Sequence, residues 1–88
     1  MKPDSTEYVA PGVELHHKHT PEAEKGLPFA LCYLEHRKPE GSVWYVLRRA
    51  KSIASANRMM GHIIKTSGNK RRSQFYVWES GEPWEAPE

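Results

Sequence analysis

The sequence predicts an α+β domain: a small antiparallel sheet of four to five strands with one amphipathic helix, at about residues 47–60, packed on it. The predicted order is β-β-α-β-β, behind an irregular N-terminal arm. Three observations lead there. Two apolar and aromatic runs, FALCYLEH (29–36) and QFYVWE (74–79), are short, bounded by turn residues and read as strands. Between them the apolar spacing changes to every third or fourth residue, the period of a helix. With 88 residues there is room for one core, so these elements must share it.

Residues 1–28 contain Pro3, Pro11, Pro21 and Pro28 together with Gly12 and Gly26, too many breaks for a helix or a long strand. This segment reads as an arm with a short extended piece at Val13–His17 and a turn near 20–23, and the folded domain as 29–85. In 29–36, Phe29, Leu31 and Tyr33 alternate with Ala30, Cys32 and Leu34, so both sheet faces are partly covered. The KPEG turn (38–41) returns SVWYV (42–46) as an antiparallel partner. At helical spacing, Val46, Leu47, Ala50, Ile53, Ala54 and Met60 fall on one arc, flanked by Lys51 and Arg58, with Gly61 as the stop. No Ser, Thr, Asp or Asn stands before Leu47 as a cap, and an alternative start at Ser42 absorbs 43–46. HIIKT (62–66) reads as a strand, 67–73 as a basic turn around Gly68-Asn69, and 74–79 as the clearest strand of all. Pro83 then limits the piece around Trp84 to a sheet edge or to no strand.

The formal net charge of +2 conceals a strong polarisation. All eleven acids lie in 1–40 and 79–88, and none occurs in the 38 residues from 41 to 78. That middle carries Arg48, Arg49, Lys51, Arg58, Lys65, Lys70, Arg71 and Arg72, the electrostatic footprint of a surface for a polyanion or an acidic protein. These eight are the candidate partner-binding residues. Tyr76 and Trp78, if exposed, would add base stacking, although Trp44, Tyr45, Phe75 and Trp78 read first as core.

Other function classes fall away. One cysteine, Cys32, excludes an internal disulfide and a zinc ribbon, and its apolar surroundings predict a buried, inert thiol. The run His16-His17-Lys18-His19 has the imidazoles a transition metal favours, but neighbours in a strand point apart and no Cys or carboxylate stands at zinc-site spacing. It is read as a solvated loop, so no metal and no cofactor are expected. Glu35-His36, the one acid–base pair, faces the same objection and has no nucleophile beside it, and no phosphate loop or nucleophile elbow is present. The chain is therefore read as no enzyme. No apolar run approaches the roughly 20 residues that span a bilayer, and MKPDSTEYVAPG has no apolar signal core, so a soluble, cytoplasmic protein is expected.

From residue 47 to 84 the chain resembles small phage-encoded anti-CRISPR proteins. The matching features are LRRAKSIAS, then Gly61-His62-Ile63-Ile64, then FYVWESGEPW (75–84), against an A-K-x-I-A-S helix, a G-[TH]-apolar strand and a closing strand pair with a G-x-x-W ending. The ninth family of type I-F inhibitors, a small sheet-plus-helix fold, is the nearest by this pattern. The resemblance implies a protein of phage or mobile-element origin in the cytoplasm of a bacterial host. It implies binding to a type I CRISPR surveillance complex or a Cas subunit and a block on target-DNA interference, with Lys51 and its basic neighbours in contact with the partner. The other expectation, from the charge pattern alone, is a small basic nucleic-acid-binding α+β module.

Overall fold

The computed structural model of the chain describes residues 5–17 and 22–86. They form strands β1 (Ser5–Ala10), β2 (Val13–His17), β3 (Phe29–Lys38) and β4 (Gly41–Ala50), helix α1 (Ile53–Ser67) and strand β5 (Phe75–Glu79). Single 3-10 turns occur at Glu22–Glu24 and Arg72–Gln74. The five strands make one sheet in the order β1-β2-β4-β3-β5. Neighbours are antiparallel except β2 and β4, which run parallel. The α+β class holds, but the sheet is mixed and the order is β-β-β-β-α-β.

The long β3–β4 hairpin is the centre of the molecule. Its β-branched and aromatic residues suit a pleated surface, and each strand runs for ten residues, so the ladder reaches from Lys38–Gly41 at the turn to Phe29–Ala50 at the far end. Residues 47–50 are therefore strand. The expected helical start there gives way because Leu31, Ala30 and Phe29 pair opposite Arg48, Arg49 and Ala50. A register shift between Leu31 and Cys32 leaves Leu47 as the extra residue of a bulge.

Three further expectations are corrected. Much of the arm is ordered sheet: Pro11-Gly12 turns β1 onto β2, and β2 docks beside β4. Gly12 has φ of 76°, and its carbonyl accepts from the Ser42 N–H at 2.9 Å. A Cβ on Gly41 would meet that same carbonyl, so two glycines are required where the two hairpin turns touch. The expected turn near 20–23 falls partly outside the described residues; its described part, from Glu22, is the first 3-10 turn. Residues 62–66 are helix, because Met59, Met60, Ile63 and Ile64 continue one apolar stripe along α1. Gly61 sits inside that helix, and the stop is Gly68 at φ 80°, whose N–H returns to the Ile64 carbonyl.

The sheet has a core on each face. On one, α1 packs Met60 against Leu31 and Phe75, with Tyr33, Leu47, Met59, Ile63, Ile64 and Val77 around them. The expected helical core residues Ile53 and Ala54 are exposed, Ile53 by 56%. On the opposite face Leu15, Ala30, Cys32, Trp44, Val46 and Trp78 are buried under the chain after β5. Trp84 lies edge-on to Trp44, Tyr76 and Trp78, with ring centroids at 5.4, 4.7 and 5.6 Å. The Trp78 indole N–H donates to the Glu82 carbonyl at 2.8 Å and the Glu85 N–H to the Tyr76 hydroxyl at 3.1 Å. Pro83 thus ends strand pairing, while Trp84 completes a core. No helix among the described residues is long and apolar enough to cross a membrane.

Candidate cationic binding surface

The eight cations separate by what the fold asks of them. Arg48 and Arg49 belong to the architecture. Beside β4, β2 pairs only as far as Val46, and the 3-10 turn at Glu22–Glu24 takes over that edge. Glu24, 8% exposed, accepts from the Arg49 backbone N–H at 3.0 Å and from Arg48 Nε at 2.6 Å. The hydrogen bond from Arg48 holds the Glu24 carboxyl below its ordinary range despite partial burial, and Glu24 raises the arginine in return. Arg49 donates from Nε to the Leu27 carbonyl and from Nη2 to Ser80 Oγ, tying the approach to β3 to the turn after β5. Arg48 is thus paired with an acid, whereas the Arg49 guanidinium is held by neutral oxygens.

Among the described residues, none of the other six forms an ion pair. Lys51 lies just before α1, exposed. Ser52 is the helix cap: its hydroxyl accepts from the Ser55 N–H at 3.1 Å, so the helix starts at Ile53 and not at Leu47 as the periodicity suggests. Arg58 and Lys65 are seven residues apart, two helical turns or roughly 10 Å along one side of α1. That side points away from the stripe of Ala56, Met60 and Ile63. Arg58 reaches back to Ser55 Oγ, and Lys65 complements the negative end of the helix dipole.

Lys70, Arg71 and Arg72 follow α1 on a short loop with a defined shape. The Gln74 side-chain oxygen accepts from the Arg71 N–H at 2.9 Å, the Gln74 N–H donates to the Arg71 carbonyl, and Gln74 Nε2 donates to the Tyr33 hydroxyl. Arg72 Nη1 lies 3.3 Å from Met60 Sδ, so its stem lies along the base of α1 while the residue stays exposed. Lys70 Nζ stands 4.8 Å above the Tyr33 ring centroid, a cation–π contact. Lys65, in the last turn of α1, is thus followed within the next few residues by the basic loop, while Arg58 lies two turns earlier on the helix.

The aromatics expected to assist are not the ones available. Trp78 is buried and Tyr76 is packed beneath Trp84, both on the face away from α1. The rings beside the basic loop are Tyr33 and, in line with it across the sheet, Tyr45 and His16. The signal for them was present: Tyr33 and Tyr45 sit at mid-strand, on the alternation opposite to Cys32 and Trp44.

The remaining candidates stay isolated. His16 and His17 point to opposite faces of β2, each beside its own acid, with Glu14 at 3.3 Å and Glu7 at 2.8 Å. Lys18 and His19 lie outside the described residues. Among the described residues no three His, Cys, Asp or Glu side chains converge. Glu35 and His36 are exposed at an irregularity in the β3 ladder. Burial pushes the Cys32 thiol up to about 12. A cavity of about 570 Å³ opens beside the two hairpin turns, with Trp44 and Trp84 in its wall and Arg37 and Lys38 at its rim. Compared with protein-family models, curated proteins and solved structures, the chain matches none.

Proposed function

We propose that this chain is a non-catalytic protein that binds nucleic acid through Lys51, Arg58, Lys65, Lys70, Arg71 and Arg72. One observation carries this reading. Over an acid-free stretch the fold neutralises Arg48 with Glu24 and ties Arg49 to two neutral oxygens, yet leaves the other six cations without an ion pair among the described residues. Solvated surface charge ordinarily comes in mixed signs, and a single-sign field of this kind concentrates polyanions. Contacts to phosphates are sequence-tolerant and displace counterions, so affinity falls with salt in proportion to the number of phosphates neutralised.

The test is fluorescence anisotropy with single-stranded and duplex oligonucleotides over a salt series. Four to six contacts give a log–log salt slope of about −3 to −5, from roughly −0.7 to −0.9 per phosphate. Lys51→Glu with Arg58→Glu, and separately Arg71→Glu with Arg72→Glu, each weaken binding across all sequences and flatten the slope by about 2. An absence of binding at low salt would dispose of the proposal.

A second reading rests on the resemblance of residues 47–84 to anti-CRISPR proteins. Under it the same cations dock on a type I surveillance complex or a Cas subunit and keep target DNA away. The AKSIAS segment then runs from Ala50, the last residue of β4, through the cap Ser52 into the first turn of α1, with Lys51 exposed at the join. Phage plaquing on cells that carry a type I system tests it: rescue of a targeted phage by expression of the chain supports inhibition, and unaffected targeting rules it out.

A further inference from the structure

Resting on the nucleic-acid reading, the geometry points to a single-stranded path across the sheet, in which bases stack on Tyr45 and His16 while Lys70, seated on the Tyr33 ring, holds phosphate at its entrance with Arg71 and Arg72. Ladder partners share a face, and one row runs across all five strands: Thr6, His16, Tyr45, Tyr33 and Phe75. Its rings are in register, with centroids 5.2 Å apart for His16 and Tyr45 and 5.3 Å for Tyr33 and Phe75. Phe75 is buried beneath α1, whereas Tyr33, Tyr45 and His16 are each half-buried. The helix packs against β4, β3 and β5 and has no comparable contact with β2, the strand that carries His16. The next row places Tyr8, 71% exposed, beside Glu14, Val43 and His36 on the same face.

Charge complementarity decides what this face accepts. Lys70 stands directly over Tyr33, so a cation already marks the point where the basic loop meets the row. A strand entering there neutralises its phosphates on the loop and passes its bases over the rings. Glu14, the one acid in these two rows, is directed at His16 at 3.3 Å and lies at the far end, away from the cations. A duplex keeps its bases stacked within itself and has none to offer such a row, which is why a single strand is the ligand. Sheets that read single strands through aromatics on their surface stack two or three bases, and Tyr45 and His16 supply two rings.

Anisotropy titrations of the full chain with short oligothymidylate, oligouridylate and a duplex of equal length test this. Both single strands bind more tightly than the duplex, and any preference between the first two identifies the sugar. Tyr45→Ala or His16→Ala weakens single-strand binding about fivefold to a hundredfold, the range for losing one stacked base, and leaves duplex binding unchanged. Tyr45→Phe retains the affinity. Ring resonances of His16 and Tyr45 in aromatic NMR spectra of the unaltered protein shift on adding oligothymidylate, a readout that needs no variant to fold. Equal affinity for single strand and duplex, with unmoved rings, overturns the path while the cationic reading stands. No binding to any of the three removes both.

Discussion

Glu24→Ala tests the structural part that Arg48 and Arg49 play in the fold, and its size follows from the contacts. Three hydrogen bonds end on this carboxylate: Arg49 N at 3.0 Å, Arg48 Nε at 2.6 Å and Arg48 Nη2 at 2.5 Å. The Arg48 side chain is 46% exposed and regains water when its partner is removed, so the charge pair itself contributes at most about 1 kcal/mol. The Arg49 N–H lies at a strand edge that β2 does not reach, and stripping its acceptor costs about 1–2 kcal/mol. Together the variant loses about 1–3 kcal/mol, which at about 4–8 °C per kcal/mol for a chain of this size lowers Tm by about 4–24 °C. Thermal unfolding followed by circular dichroism measures it. The pH dependence has a definite sign. Because the hydrogen bond from Arg48 lowers the folded-state pKa of Glu24, the stabilisation is complete above the ordinary value of 4.5 and disappears as pH falls through the folded value. The gap between the unaltered protein and Glu24→Ala is therefore full at pH 7 and narrows on acidification below about pH 4. A Tm change under about 2 °C at pH 7, or a gap that does not narrow in acid, would refute the assignment.

Gly61→Ala stabilises by about 0.5–1 kcal/mol in a denaturant titration, because Gly61 is inside α1 and nothing lies within 4 Å of an added Cβ; a loss of stability contradicts the helix through 62–66. Trp84→Ala destabilises by about 2–3 kcal/mol and alters tryptophan emission, since three aromatic rings lose their cover; an unchanged midpoint shows that the tail does not form part of the core. Cys32 resists a thiol reagent in the native protein at pH 8 and reacts on unfolding, as a fully buried thiol pushed up to about 12 requires; fast labelling of native protein contradicts its burial.

The candidate cations were readable from residue types, and the contacts that each makes were not. The acid-free stretch names all eight cations, but nothing local says that Glu24 reaches Arg48 across 24 positions or that Ser80 meets Arg49 across 31. The helix illustrates the same limit. Ser52 was a legible cap, yet the apolar period over 46–54 concealed it, because Val46, Leu47 and Ala50 also suit a strand. Ile63 and Ile64, β-branched and next to Gly61, favour a strand locally; the buried contacts of Met59, Met60, Ile63 and Ile64 with the sheet outweigh that preference.

Local chemistry by itself determined the α+β class, the strands at 29–36, 42–46 and 74–79, the burial of Cys32 and the charge polarity, because alternation, turn residues and composition act over a few positions. Only tertiary structure decided that β2 lies parallel to β4, that 47–50 extends the hairpin, and which arginines are consumed. It also decided that Phe75 is buried in the core beneath α1 while Tyr33, Tyr45 and His16 of the same row are half-buried. Those outcomes depend on contacts between residues far apart in the chain, whose energies exceed the small local preferences that a sequence displays.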